Sequence, residues 1–194
     1  MQRPDCNNSF TKAVIAVGSN LSTGDHTPLG IVADAIATVT RLAGGSALVS
    51  GLYRTPAFPP GSGPEFVNAV FAVDWTGPPE DLLALLHRVE AEAGRTRQTR
   101  WEARVLDLDL VAFGDAVRPD AESQTAWRDL LLDQAAARAP DRLILPHPRL
   151  QDRGFVLVPM ADIAPEWCHP LTGLTVTAML AALPEAERAE IRPI

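Results

Sequence analysis

The chain has 194 residues, of which 46% are hydrophobic and 21% charged, and its formal net charge is −7 at pH 7. This is the composition of an ordinary soluble globular protein, and the acidic balance excludes a general nucleic-acid-binding protein, whose surface is basic. The N-terminus lacks the apolar region of a signal peptide, and no apolar run approaches the length of a membrane span, about 18 residues. We therefore expect a cytoplasmic protein that binds neither nucleic acid nor membrane.

Hydrophobic periodicity predicts six elements between residues 13 and 114. They alternate as strand, helix, strand, strand, helix and strand, over 13–20, 28–43, 47–55, 66–75, 78–94 and 100–114. This order is that of a ferredoxin-like βαββαβ fold of the α+β class. Residues 1–12 are polar and predict a flexible tail, so the domain is expected to span 13–194.

The chain changes character after Gly114. Residues 115–141 are polar and rich in alanine, and we interpret them as an insertion with a short helix within 126–138 that carries Trp127. Strong hydrophobic patterning resumes over 141–165, and a last helix is predicted around Val176 to Leu183. No internal repeat or linker is visible, which indicates one domain with C-terminal additions to the ferredoxin-like core.

The basic residues and cysteines limit the chemistry. Lys12 is the only lysine, against sixteen arginines, and no GxxxxGK[ST] loop is present, so a nucleotide would have to be bound by arginine. Cys6 and Cys168 lie far apart and have no metal-ligand spacing. They are most simply free thiols in a reducing compartment, and a disulfide between them stays open.

Two aspartates alternate with leucines in the fourth predicted strand. Because successive side chains of a strand point to opposite faces, Asp107 and Asp109 share one face, and Leu106, Leu108 and Leu110 share the other. The carboxylates could simply lie on an exposed strand face. Two acids on one face of an otherwise apolar strand favour a metal site instead, and carboxylates with few other protein ligands suit Mg²⁺.

Arginines and aromatic residues extend this pattern. Four arginines lie within 94–104; each alone could be a solvated surface charge, but together, beside paired acids, they favour a polyphosphate site because guanidinium groups bind phosphate bidentately. His147, between two prolines, is either structural or a phosphate contact. Phe66 and Phe155 either pack in the core or hold a flat heterocycle between them, whose edge Asn68 would read.

Six segments, in this order, resemble the hydroxymethyldihydropterin pyrophosphokinase family of folate biosynthesis: AVGSNL, YRTPAF, EFVNAV, VEAEAGRTR, RWEARVLDLDLVAFG and LPHPRLQDRGFVLVPMADIAP. The resemblance implies transfer of pyrophosphate from ATP to the hydroxymethyl group of 6-hydroxymethyl-7,8-dihydropterin, with release of AMP. It further implies two Mg²⁺ ions, ATP as co-substrate, and direct in-line attack of the substrate hydroxyl on the β-phosphorus. We expect the enzyme to be a monomer.

The resemblance also assigns roles to individual residues. It implies that Asp107 and Asp109 bind the metal ions and that the catalytic residues are these two together with Arg95 and Arg104. The implied ATP-binding residues are Leu83, His87, Glu90, Arg97, Arg100, Trp101, Leu110, Arg142, His147 and Arg153. The implied pterin-binding residues are Thr55, Pro56, Phe58, Phe66, Asn68, Trp101, Asp107 and Phe155.

Three features of the sequence depart from the pattern of this family. Glu102 stands where the family usually has glycine, Ile144 lacks a hydroxyl that some members carry, and 115–141 is longer than in compact members.

Two alternative functions fit parts of the sequence pattern: a non-catalytic ferredoxin-like module that binds a small molecule and a metal-dependent phosphodiesterase. A binding module needs no acid pair beside an arginine-rich segment, and a phosphodiesterase would hydrolyse rather than transfer.

Overall fold

An antiparallel sheet covered on both faces by helices organises the chain. The structure is a computed structural model that describes residues 11–57, 63–94, 105–131, 134 and 140–194. Its strands are β1 (Thr11–Ser19), β2 (Ala47–Val49), β3 (Tyr53–Thr55), β4 (Phe66–Trp75), β5 (Asp107–Phe113) and β6 (Arg192–Pro193). Its helices are α1 (Pro28–Leu42), α2 (Pro79–Glu92), α3 (Ala121–Arg128), α4 (Gly154–Ile163), α5 (Val176–Ala182) and α6 (Glu185–Ala189).

The strand order confirms the predicted fold. Neighbouring strands run β5-β1-β4-β3-β6, and β2 also pairs with β4. All of these pairings are antiparallel, with β1 between β4 and β5. The first six predicted elements therefore form the ferredoxin-like α+β unit, and the C-terminal residues add β6 to its edge.

Several predicted bounds differ from those observed. Strand β1 begins at Thr11, inside the predicted tail 1–12, and β5 begins at Asp107, so Val105 and Leu106 of the predicted strand 100–114 precede it. The predicted strand 47–55 is divided into β2 and β3, because the chain from Val49 to Tyr53 holds one residue more than the part of β4 that it opposes.

The helix predicted within 126–138 was wrong in its bounds: the observed helix ends at Arg128, residues 129–131 are not helical, and 132, 133 and 135–139 lie outside the described residues. The observed helix α3 begins at Ala121 because the Asp120 carboxylate accepts a hydrogen bond from the Ser123 amide at 2.8 Å and caps the first turn.

The two faces of the sheet have separate cores. On one face Leu106, Leu108 and Leu110 pack with the residues of α1 and α2, as the alternation predicted. On the other face, residues of β1, β4 and β5 pack against α4 and α5. Val111 forms a bulge opposite β1 and lies on this second face with Ala112. Asp107 and Asp109 belong to the second face, so α4 is the element that approaches the carboxylates.

Other parts of the chain form hydrogen bonds to both edges of the sheet. At the β5 edge, the Leu108 amide donates to Glu90 Oε1 at 2.8 Å, and Glu90 is only 1% exposed. At the β3 edge, β6 pairs with β3, and the Ile194 amide donates to the Leu52 carbonyl at 2.9 Å. Helix α2 and the C-terminal residues therefore cover the two edges of the sheet.

No helix in the described ranges is long and apolar enough to cross a membrane. Cys168 is an exposed free thiol.

Tyr53 joins the β3 edge to α4. Its hydroxyl donates to Asp162 Oδ2 at 2.8 Å, and the Gly51 amide donates to the same oxygen at 3.0 Å. Burial, the hydrogen bond to Asp162 and the negative charge of that carboxylate raise the pKa of Tyr53 from 10.0 to about 12. This contact holds the end of α4 against the sheet.

The Tyr53 pKa gives a direct test of this contact, because Tyr53 is the only tyrosine in the chain. A spectrophotometric titration of phenolate absorbance should have its midpoint at about 12 in the folded protein, against 10.0 for the unperturbed group. Asp162→Asn should move the midpoint towards the unperturbed value, since the amide carries no charge. The protein in concentrated urea serves as the reference, and equal midpoints for folded and unfolded protein would contradict the assignment.

Candidate active site

A glycine separates two polar side chains on the second face of the sheet. Gly18 of β1 lies opposite Asn68 of β4 on one side and opposite Asp107 of β5 on the other. Directly opposed residues of an antiparallel sheet project to the same face. A Cβ on Gly18 would lie 2.5 Å from Asn68 Oδ1. The missing side chain therefore leaves a slot over the Gly18 backbone, next to Asp107, into which the amide oxygen of Asn68 extends.

The predicted pterin-binding residues of β3 and β4 surround this slot. Asn68 Nδ2 donates to Thr55 Oγ1 at 2.7 Å, and both residues are buried. This bond uses the donor side of the amide and directs Oδ1 towards Gly18. Phe66 lies two residues before Asn68 on the same face, with its Cδ1 3.7 Å from the position of a Gly18 Cβ. The structure thus brings together Thr55, Phe66, Asn68 and Asp107. Pro56 follows Thr55 in the chain and is exposed.

An ion pair connects β5 to the start of α4. Arg153 Nη1 donates to Asp109 Oδ2 at 2.8 Å, and both side chains remain partly exposed. The Arg153 guanidinium carbon also lies 5.6 Å from the centroid of the Phe155 ring, a cation–π contact. Phe155 is 39% exposed, which is unusual for a large aromatic side chain in this protein. A predicted phosphate-binding arginine and a predicted stacking residue are therefore neighbours beside the carboxylates.

His147 is held in a fixed orientation near this ion pair. Its amide donates to the Val111 carbonyl at 2.8 Å, and its Nδ1 accepts a hydrogen bond from the Arg149 amide at 3.1 Å. Burial and the positive charges of Arg153 and Arg149 lower the pKa of His147 to about 4, although Asp109 acts in the opposite direction. The ring is neutral at pH 7, and since Nδ1 is an acceptor, the proton lies on Nε2. His147 can therefore donate one hydrogen bond from Nε2.

A groove of about 420 Å³ lies along α2. It collects three of the predicted ATP-binding residues, Leu83, His87 and Arg142. Its other lining residues are Glu80, Ala84, Arg118, Pro119, Asp141 and Leu143. Both ends of the 115–141 segment therefore contribute to the wall of this groove, which the sequence did not predict.

Two further predicted ATP-binding residues lie elsewhere. The Leu110 side chain is buried in the core with the helices of the first face. Glu90 is buried against β5, where its Oε1 accepts the hydrogen bond from Leu108. Neither residue lines the groove along α2. Six predicted site residues lie outside the described residues: Phe58, Arg95, Arg97, Arg100, Trp101 and Arg104. Glu102 and Cys6 also lie outside them.

Gly18 is the site residue that the sequence interpretation did not single out. An isolated glycine within a strand pattern is a signal for a close approach to the backbone. The run AVIAVGSN predicts a turn at Gly18, Ser19 and Asn20 after an apolar strand, but β1 continues to Ser19, so Gly18 lies within the strand. The pairing of β1 with both β4 and β5 was needed to show which side chains approach it.

Comparison with known proteins identifies the family. Residues 14–165 match the family of 7,8-dihydro-6-hydroxymethylpterin-pyrophosphokinase. The chain belongs to this family. The resemblance predicted from the sequence is thereby confirmed, and with it the activity: the chain is an ATP-dependent pyrophosphokinase that acts on hydroxymethyldihydropterin in folate synthesis.

Individual relatives agree with this family membership. The 2-amino-4-hydroxy-6-hydroxymethyldihydropteridine pyrophosphokinase of Pseudomonas aeruginosa is 37% identical over 175 residues, which are 89% of this chain and 92% of the relative. The enzyme of the same name from Synechocystis is 34% identical over 169 residues, 87% of this chain and 74% of the relative. The pyrophosphokinase chain is therefore matched over most of its length.

Solved structures support the fold. A crystal structure of Plasmodium falciparum HPPK-DHPS has a TM-score of 0.62 at 14% identity and covers 91% of this pyrophosphokinase. An HPPK-DHPS structure in complex with substrates has a TM-score of 0.65 at 12% identity and covers 95% of it. This chain spans 44% and 46% of those two longer chains.

Proposed function

We propose that pyrophosphoryl transfer takes place on the second face of the sheet, between the slot at Gly18 and the Asp109–Arg153 ion pair. The observation that carries this proposal is the row Asp107, Gly18 and Asn68 across three strands, in which the central residue has no side chain and the Asn68 amide oxygen lies over it. A slot lined by an amide oxygen and a carboxylate is a site for a flat, hydrogen-bonding ligand.

The slot suits the pterin ring in both shape and polarity. Asn68 Oδ1 points into it as an acceptor because the donor side of the amide is bound to Thr55. The Asp107 carboxylate offers a second acceptor from the opposite strand. Both acceptors would receive hydrogen bonds from ring N–H groups, and Phe66 and Phe155 would supply aromatic faces for stacking. Pterin binding at Thr55, Pro56 and Phe58 belongs to the same proposal.

The carboxylates of β5 fit Mg²⁺ better than a metal that needs a full protein ligand set. Among the described residues no group of three or more His, Cys, Asp or Glu side chains could hold a metal ion. Two carboxylates leave most coordination positions to water and phosphate oxygens, which is the usual environment of Mg²⁺. We propose that Asp107 and Asp109 hold two Mg²⁺ ions, which when bound neutralise charge on the ATP phosphates.

The remaining residues would position ATP. The base would lie in the groove along α2, against Leu83 and His87, and the phosphates would extend towards β5. There, Arg153 and the neutral Nε2–H of His147 would donate hydrogen bonds to phosphate oxygens. Arg95 and Arg104 are proposed to assist the transfer, with Arg97, Arg100, Trp101 and Arg142 as further ATP contacts.

In the proposed reaction the pterin hydroxyl oxygen bonds to the β-phosphorus, and the bond between that phosphorus and the oxygen bridging it to the α-phosphate breaks. AMP leaves with the bond electrons, and the hydroxyl proton passes to solvent. Catalysis of this type relies on positioning and charge stabilisation rather than on a covalent enzyme intermediate. The site residues described above are of the types that such catalysis requires.

The proposed function is tested by the products. Incubation with ATP, Mg²⁺ and 6-hydroxymethyl-7,8-dihydropterin should yield AMP and the pterin diphosphate in equal amounts, measured by ion-exchange chromatography. Removal of Mg²⁺ with a chelator should stop both products, and omission of the pterin should stop AMP release. ADP as the product would contradict pyrophosphoryl transfer, free pyrophosphate would indicate a hydrolase, and binding without any product would support the non-catalytic alternative.

A further inference from the structure

The C-terminal segment, residues 183–194, lies beyond the family match at 14–165. Among the described residues, its hydrogen bonds and its ion pair reach two places that adjoin proposed pterin-binding residues. One is the first turn of α4, next to Phe155, and the other is the edge formed by β3 and the start of β4, next to Phe66. These two places carry the proposed aromatic walls of the pterin site.

At the first place, Glu187 of α6 caps α4. The first amides of a helix have no partner within the helix, and Arg153 at the N-cap position of α4 provides no side-chain hydrogen bond to them. The Gly154 amide donates instead to Glu187 Oε1 at 3.3 Å. A negative carboxylate is also favourable at the positive end of a helix dipole. The cap of α4 therefore comes from a residue 33 positions further along the chain.

The packing at this contact is close. A Cβ on Gly154 would lie 2.8 Å from Ile191 Cδ1 and 3.1 Å from Glu187 Oε1. A larger residue at position 154 would require the ends of the Ile191 and Glu187 side chains to move away from α4. Gly154 stands between Arg153, which binds Asp109, and Phe155, so the contact fixes the backbone from which both side chains extend.

At the second place, β6 pairs with β3. Arg192 lies opposite Arg54, and Pro193 lies opposite Tyr53. Arg192 also forms an ion pair with Glu65, the residue before Phe66. The segment thus pairs with strand β3, which ends at Thr55, and forms an ion pair with the residue directly before β4.

We propose that the C-terminal segment sets the separation between the two aromatic walls of the pterin site, with Glu187 as a positioning residue. It connects the turn that carries Phe155 to the edge that carries Phe66, so a displaced segment leaves the pterin loosely held. Glu187 acts through α4 and does not contact the substrate. The inference rests on the proposed function, because it requires the pterin to bind between these walls.

The test is steady-state kinetics of Glu187→Ala. Loss of a helix cap should raise the KM for the pterin about fivefold. The KM for ATP should rise less than the KM for the pterin, because the groove along α2 does not touch the segment and only Arg153, next to Gly154, is a proposed ATP contact. Glu187→Gln keeps an acceptor oxygen for the Gly154 amide and should restore most of the pterin affinity. Glu185→Ala is the matched control, since Glu185 lies on the same helix and makes no hydrogen bond or ion pair within the described ranges.

The outcomes separate this inference from the proposed function. If the wild-type protein forms no AMP, the proposed function fails. If the wild type is active and Glu187→Ala keeps the wild-type pterin KM, or raises both KM values equally, the positioning role is refuted.

If Glu187→Ala does not fold, variants of the exposed ion pair between Arg192 and Glu65 provide the test. Arg192→Glu should then raise the pterin KM, and the exchanged pair Arg192→Glu with Glu65→Arg should restore it. No change with Arg192→Glu, or no recovery with the exchanged pair, refutes the inference.

Discussion

Asp109→Asn is expected to lower the turnover of this pyrophosphokinase about 10³-fold, the upper range for removal of one electrostatic group from an active site. The amide can still accept a hydrogen bond from Arg153, so the link between β5 and α4 persists. In the proposed metal site the amide is a much poorer ligand for Mg²⁺, because it lacks the negative charge of the carboxylate. The fold should be unaffected because the Asp109 side chain is partly exposed and lies outside both hydrophobic cores.

The measurement is the rate of AMP formation at saturating ATP, pterin and Mg²⁺, with thermal unfolding followed by circular dichroism. Asp107→Asn should lose activity similarly and should also weaken pterin binding, because Asp107 faces the slot. Asp34→Asn, which neutralises an exposed carboxylate on α1, is the control and should behave as wild type. Near wild-type turnover of either β5 variant would refute the assignment of the carboxylates to the metal.

Gly18→Ala is expected to weaken pterin binding about a hundredfold, the scale on which a displacement of about 1 Å acts in an active site. The added Cβ would lie 2.5 Å from Asn68 Oδ1, so the amide must move, although its Nδ2 is fixed by Thr55 at 2.7 Å. The methyl group also occupies the slot itself. ATP affinity should change little, because the groove along α2 lies elsewhere.

Calorimetric titration with the pterin in the presence of a non-hydrolysable ATP analogue gives the pterin affinity, and a separate titration with the analogue gives the nucleotide affinity. Gly30→Ala is a suitable control: a Cβ there meets only Thr27 Oγ1, at 3.6 Å, and alanine is favourable within α1. Unchanged pterin affinity in a folded Gly18→Ala protein would mean that the pterin binds away from the slot.

The sheet could be predicted because its strands have clear patterns. The strand predicted over 66–75 coincides with β4, and alternation in β5 correctly assigned the leucines to one face and the carboxylates to the other. These patterns follow from a sheet with different surroundings on its two sides. The motifs around Asp107 and His147 then identified the family before any geometry was known.

Helix α4 could not be predicted in the same way. Its sequence GFVLVPMADI begins with glycine, contains β-branched residues and includes Pro159, all of which disfavour a helix. It forms because it is buried between the sheet and α5, and a helix buried on most sides shows no amphipathic period. Likewise, the two residues of β6 are too few for a pattern, and contacts such as Glu187 with Gly154 depend on the folded chain.

In the proposed binding mode, the hydrogen bond between Glu90 and Leu108 also constrains which nucleotides can be bound productively. It fixes α2 to β5 at one point, and along α2 the residues Leu83, His87 and Glu90 follow one helical stripe from the groove to that point. The fold therefore fixes the distance from the groove to the carboxylates of Asp107 and Asp109. In the proposed binding mode, a nucleotide bound in the groove must carry a phosphate chain long enough to extend to Asp107 and Asp109. Selection for the triphosphate is then made by length as well as by charge.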